Sequence, residues 1–159
     1  IDFLLFFRFN KNNQFFLKKV GKENDSISLD SIMRNYTHNN EKIFLKIDIE
    51  SYEYEILEDI VSHKNKLQGI VIEFHNLTKN LNKIYNLIDN LNTDLKLVHI
   101  HINNYSVKET GQFPDAVELT FSRKNLHVEN IINNKDYPIK NLDFPNSKRN
   151  KDIKIRFTK

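Results

Sequence analysis

Segments with strand-like and helix-like patterns alternate through the middle of this chain, and this alternation constrains its fold more than any other feature. Residues 43–49, 67–74 and 95–102 form mostly apolar runs of strand length. Between these runs, apolar residues recur at helical spacing over 52–61 and 77–91. Strands separated by helices are typical of βαβ units. We therefore predict an α/β fold in which helices cover a mostly parallel sheet.

Shorter candidate elements flank this alternation. A strand at 116–122 follows the third run without a helix between them, so we expect the last two strands to form an antiparallel pair at one edge. Ser28 is a plausible N-cap for a helix that continues to residue 36. Hydrophobic density falls after Lys124. We predict one domain over residues 1–159 with its core at about 28–124, a surface tail at 125–159, and further short strands at 3–9, 14–20 and 153–157.

Composition excludes several classes of protein. The chain has 159 residues, 39% hydrophobic and 28% charged, which suits one globular domain. No apolar run approaches the ~20 residues that span a bilayer, so we expect no membrane partner. The lack of cysteine excludes thiolate metal sites and fits a cytoplasmic location. The net charge of +3 comes from basic residues spread along the chain, so we expect no nucleic-acid partner.

Polar side chains gather where the three predicted central strands end. In an open α/β sheet, ligands bind outside the carboxyl ends of the strands. Alternation along a strand places every second side chain on the same face. We therefore expect one sheet edge to collect carboxylate, imidazole and amide groups. The residues concerned are Lys46, Asp48 and Glu50 at the first strand, Glu73 and His75 at the second, and His99, His101, Asn103 and Asn104 at the third.

Other roles compete for individual members of this set. Asp48 could form an ion pair with Lys46. Glu50 and Glu53 could complement the dipole of a helix that begins beside them. A metal site is a further alternative, because Asp48, His75 and His101 are hard or borderline ligands at neighbouring strand ends. Spacing alone does not close such a site, so we predict no metal ligand.

Residues 46–57 (KIDIESYEYEIL), preceded by Leu29 and Asp30, resemble the FkbM-type methyltransferases. The pattern of that family is Leu-Asp, then Lys-Ile/Val-Asp-x-Glu-Gly-x-Glu, with a Leu four positions after the last Glu. Residues 70–75 (IVIEFH) are similar to its following strand, which also ends in Glu-x-His, and 99–105 and 118–121 are similar to its closing strands. The resemblance covers roughly residues 28–123. Ser51 stands where the family usually has Gly, a residue that can hold a positive φ.

The resemblance implies a class I, Rossmann-like methyltransferase fold that uses S-adenosylmethionine, commonly to methylate a hydroxyl of a sugar or small metabolite. Asp48 and Glu50 fall on the family's Asp and Glu at the end of its fourth strand. We interpret Asp48 or His101 as the base that takes the hydroxyl proton. The residues that bind the cofactor or position the substrate are then Glu50, Glu53, Glu73, His75, Asn103 and Asn104.

Methyltransferases of this class hold the cofactor on a Gly-rich turn, and this chain has only Gly21, Gly69 and Gly111, which are scattered. We therefore expect the cofactor-binding half to lie upstream of Ile1. On that basis the chain alone should neither bind S-adenosylmethionine tightly nor turn over. Two alternatives remain, a non-catalytic α/β interaction domain and a metal-dependent α/β enzyme.

Overall fold

A computed structural model describes residues 16–38, 40–105, 114–126 and 136–157. Helices and strands alternate in its central part, as the sequence pattern predicts. The strands are β1 (Lys19–Val20), β2 (Ser26–Ile27), β3 (Ile43–Ile47), β4 (Leu67–Phe74), β5 (Leu95–Ile102), β6 (Val117–Arg123), β7 (Asp136–Tyr137) and β8 (Ile155–Arg156). The α-helices are α1 (Leu29–Tyr36), α2 (Leu57–Ser62) and α3 (Leu77–Leu91), with 3₁₀ turns at Glu53–Glu55, Lys64–Lys66 and Lys124–Leu126.

The main sheet has four described strands in the order β3-β4-β6-β5. β3 and β4 are parallel, whereas β6 is antiparallel to both of its neighbours. The α/β character and the antiparallel pair at one edge agree with the sequence prediction. The expectation of a mostly parallel sheet is corrected, because the sheet is mixed. β6 follows β5 in the chain, runs in the opposite direction and inserts between β4 and β5.

The three described α-helices contribute to one hydrophobic core. In α3 the residues Leu77, Ile84, Leu87 and Leu91 are buried, which is the spacing of a single helical stripe. On the sheet, Ile72 of β4 lies opposite Ile47 and Leu119 and belongs to the same core. The residues one position further along β4 and opposite it on the neighbouring strands are polar instead of apolar. Alternation along the strands therefore separates an apolar face, which the helices cover, from a polar face.

Two predicted elements end differently in the structure. β3 stops at Ile47, before residue 49, because the backbone turns at Glu50 and Ser51 with positive φ. The single helix expected over 52–61 is divided into the 3₁₀ turn Glu53–Glu55 and α2. Of the predicted strand at 14–20, the described part contains β1, which pairs with β2, and the predicted strand at 3–9 lies outside the described residues.

No helix in the described ranges combines the length and apolar character needed to cross a membrane.

Candidate functional site

The turn after β3 brings several acidic residues to the carboxyl edge of the sheet. Glu50 has φ of 52° and Ser51 has φ of 82°, both in the left-handed region. Glycine adopts this region freely, so the structure explains why the family usually has Gly at the position of Ser51. The strained turn is held by side chains, since Asn76 Nδ2 donates to Ser51 Oγ at 2.6 Å and Ser51 N donates to Glu53 Oε1 at 3.2 Å.

Glu53 is the most buried acidic residue near this turn, with none of its surface exposed. Its Oε1 accepts a hydrogen bond from His75 Nδ1 at 2.8 Å. Its Oε2 is also buried and has no hydrogen-bond partner among the described residues. Glu53 begins a 3₁₀ turn, but its carboxylate contacts His75 and Ser51 instead of capping a helix. A buried carboxylate is costly without such a partner.

His75 follows β4 and lies among three carboxylates. Besides the bond to Glu53, its Nε2 is 3.6 Å from Glu50 Oε2 and 3.9 Å from Glu73 Oε1. Burial by itself lowers the pKa of His75, but the hydrogen bond to Glu53 and the negative charges of Glu53, Glu50 and Glu73 outweigh it. The pKa of His75 is therefore raised above its ordinary value of 6.5. Because Glu53 holds Nδ1, it is Nε2 that faces the remaining acids.

Asp48 and Glu73 complete this group, which we call the edge cluster (Asp48, Glu50, Glu53, Glu73 and His75). One ligand atom from each of Asp48, Glu73 and His75 lies within 4.8 Å of the other two. Glu73 is only 8% exposed and accepts a hydrogen bond from Asn103 Nδ2 at 2.7 Å. Asp48 is exposed, and the side chain of Glu50 is 86% exposed. Four of the predicted residues of the first two strand ends, Asp48, Glu50, Glu73 and His75, therefore do converge, and Asn103 joins them from beyond β5.

Other predicted residues have different partners. Lys46 forms its ion pair with Glu118 of β6, so the alternative in which it pairs with Asp48 is wrong. The sheet order explains this, because β6 lies beside β4 and brings Glu118 directly opposite Glu73. His99 Nε2 is 2.7 Å from Asp143 Oδ1 and its ring packs against Tyr137.

His101 and Asn104 also lie apart from the edge cluster. His101 is opposite Glu118, on the same face as Glu73 but two strands away. Its Nε2 is shielded from solvent and has no hydrogen-bond partner within the described ranges. Asn104 is 1% exposed, and its side chain is bound to Ser147 and Asn150 in the C-terminal segment.

Tyr54 is a residue at this site that sequence reasoning missed. Its hydroxyl donates to the main-chain oxygen of His75 at 2.6 Å, and its ring packs against Phe74. Burial, with the negative charges of Glu53 and Asp115, raises the pKa of Tyr54 to about 12, so the hydroxyl stays protonated. Alternation along a strand could not identify it, because Tyr54 belongs to the 3₁₀ turn.

The comparisons with known proteins agree with the sequence motifs. Searches of the curated proteins and of the solved structures gave no significant match. The family model described as "Methyltransferase FkbM domain" matches residues 8–137, which is most of the 159-residue chain. This match includes the turn after β3, the whole of β4 and the edge cluster. The chain therefore belongs to the FkbM methyltransferase domain family.

Proposed function

We propose that this chain forms the acceptor side of an S-adenosylmethionine-dependent methyltransferase that methylates a hydroxyl of a sugar or small metabolite. The observation that carries the proposal is the convergence of Asp48, Glu73 and His75 within 4.8 Å at the carboxyl edge of β3 and β4. Ligands bind at this edge in open α/β sheets. Membership of the FkbM family supplies the reaction class.

The arrangement of the sheet supports a class I methyltransferase topology. β6 is antiparallel to both β4 and β5, so β3, β4 and β5 run in the same direction. This is the antiparallel edge pair beside parallel strands that we expect for that topology.

The described residues fit the acceptor better than the cofactor. Both described glycines are closely packed: a Cβ at Gly21 would lie 2.9 Å from Glu55 Oε2, and one at Gly69 would lie 2.9 Å from the ring of Phe44. Neither glycine therefore leaves space for a cofactor to approach the backbone. S-adenosylmethionine, when bound, supplies an electrophilic methyl group.

An acceptor hydroxyl must lose its proton when its oxygen attacks a methyl group. Asp48 is an exposed carboxylate with an oxygen within 4.8 Å of both Glu73 and His75, and we assign it this role. His101 is the second candidate, but its shielded Nε2 is less accessible to a substrate. Glu50 and Asn103 would position the acceptor or cofactor, while Glu53 and Tyr54 hold His75 in place.

The test uses methyl transfer from radiolabelled S-adenosylmethionine to a panel of sugars and small hydroxylated metabolites. We expect the full-length gene product, whatever its length, to transfer the label. Asp48→Asn should lower kcat by ~10²-fold while leaving the Kd of S-adenosylmethionine unchanged. The matched variant Asp89→Asn removes an exposed carboxylate of α3 and should leave kcat unchanged.

Three results would contradict parts of this proposal. Failure of the full-length gene product to bind S-adenosylmethionine would favour a non-catalytic interaction domain. Unchanged kinetics in Asp48→Asn would remove Asp48 from the chemistry. We also expect the 159-residue chain alone to bind the cofactor weakly, so micromolar affinity in calorimetry would contradict its assignment to the acceptor side.

A further inference from the structure

We propose that Asp48, Glu73 and His75 bind a divalent transition-metal ion. Their candidate ligand atoms all lie within 4.8 Å of one another. Zinc–oxygen and zinc–nitrogen bonds are about 2.0–2.2 Å long, so neighbouring ligands of a tetrahedral ion are about 3.4 Å apart. Closing the site therefore requires side-chain adjustments that bring the ligand atoms closer to one another by up to about 1.4 Å. Asp48 is exposed and follows the end of β3, so it is free to make such an adjustment.

Glu53 provides a second, independent observation. Metal-binding histidines usually donate their other ring N–H to a carboxylate, which fixes the tautomer and the orientation of the ring. His75 Nδ1 donates to Glu53 Oε1 at 2.8 Å, which leaves Nε2 as the nitrogen available to an ion. Glu53 has no exposed surface, and its Oε2 has no hydrogen-bond partner in the described part of the chain. This buried carboxylate contacts the proposed ligand His75 through one oxygen, while its other oxygen has no described partner.

The charge balance of the edge cluster also favours a cation. Four carboxylates surround one imidazole, and Glu50, Glu53 and Glu73 each face that imidazole within 3.9 Å. Within the described ranges, neither lysine nor arginine forms an ion pair with any of the four. Lys46, two residues before Asp48 in the chain, is paired with Glu118. A divalent ion would neutralise the acidic excess that His75 alone leaves uncompensated.

The ligand set selects the class of metal. Two carboxylates with one imidazole suit Mn²⁺ or Zn²⁺ better than Mg²⁺ or Ca²⁺, which prefer oxygen ligands alone. Three protein ligands leave at least one open coordination position. If the proposed function holds, that position would take the acceptor hydroxyl, the ion would lower its pKa, and the oxygen of Asp48 that does not bind the ion would accept the proton. This consequence rests on the proposed function, whereas metal binding itself does not.

The experiment is a titration of the 159-residue chain, freed of metal by a chelator, with MnCl₂, ZnCl₂ and MgCl₂ in an isothermal calorimeter. We expect saturable binding of one Mn²⁺ or Zn²⁺ per chain, weaker binding of Mg²⁺, and a higher Tm with the bound ion. Asp48→Asn should weaken binding at least about tenfold. Asp48 is exposed, so this variant should fold. Asp89→Asn is the control of equal charge on α3 and should bind as the parent chain does.

Several results would overturn this inference. They are the absence of saturable binding, equal affinities of Asp48→Asn and the parent chain, or equal weakening by Asp48→Asn and Asp89→Asn. The last result would indicate a non-specific charge effect. Metal binding without methyl transfer by the full-length gene product would support the site and count against the proposed function. Methyl transfer without metal binding would support the proposed function and overturn the metal site.

Discussion

At the scale of single residues, the main question is why this fold tolerates a fully buried carboxylate. Glu53 has no exposed surface, and its described partners are His75 and the main-chain N–H of Ser51. Hydrogen bonds to charged groups contribute about 1.5–3 kcal/mol each, which offsets part of the cost of burial. The pair also fixes the His75 ring, so a structural contact and the candidate site depend on the same two residues.

We predict that Glu53→Ala lowers the free energy of unfolding by about 2 kcal/mol, because it removes a buried charge-assisted hydrogen bond and leaves His75 without that partner. Urea unfolding followed by circular dichroism measures the change. Glu58→Ala is the matched control, since Glu58 forms an exposed ion pair with Lys22 that solvent screens, and its loss should change the free energy of unfolding much less. Equal effects of the two variants would contradict the importance assigned to the buried pair.

At the scale of elements, short helices depend strongly on their caps. α1 has eight residues, and its core contacts come from Leu29 and Met33. The side chain of Ser28 accepts a hydrogen bond from Ser31 N at 3.1 Å, which satisfies one of the free N–H groups of the first turn. The cap therefore helps to present both buried residues to the sheet.

Ser28→Ala should destabilise the protein by about 1 kcal/mol, the usual loss when a serine N-cap is removed. The midpoint of urea unfolding should fall while the m-value stays constant. Ser62→Ala is a suitable control, because Ser62 ends α2, is exposed, and donates only to the nearby Asp59 oxygen. A smaller loss for Ser28→Ala than for Ser62→Ala would show that the cap does not stabilise α1.

At the scale of the whole molecule, the C-terminal segment is attached to the sheet through Asn104. The side chain of Asn104 donates to the main-chain oxygens of Ser147 and Asn150 and accepts from Ser147 N, all within 3.1 Å. Asp143 adds a partly buried contact to His99. The segment predicted as a surface tail is therefore hydrogen-bonded to the end of β5.

We predict that Asn104→Ala releases this segment while the sheet stays folded. Hydrogen exchange should become faster within 136–157 and remain unchanged in β4 and β6, because the lost bonds join only the segment to the sheet. Asn90→Ala serves as control, since the Asn90 side chain is exposed and donates within α3. Unchanged exchange in 136–157, or faster exchange across the whole sheet, would contradict the prediction.

The sequence by itself determined the main elements and the family of this protein. β4 and β5 have the predicted bounds, because alternation and apolar runs are local properties of a strand. The same reasoning placed Asp48, Glu73 and His75 at one edge, since parallel neighbouring strands end together. The usual Gly of the family at the position of Ser51 likewise points to a local property, the positive φ that Ser51 adopts in the structure.

Only the tertiary structure decided which side chains pair. Lys46 contacts Glu118 because β6 inserts between β4 and β5, and this strand order depends on contacts between residues far apart in the chain. Glu53 reaches His75 because the turn after β3 interrupts the alternation and redirects the chain. Local periodicity specifies which face of an element is apolar, but partners across strands depend on sheet order and register, which only the folded chain determines.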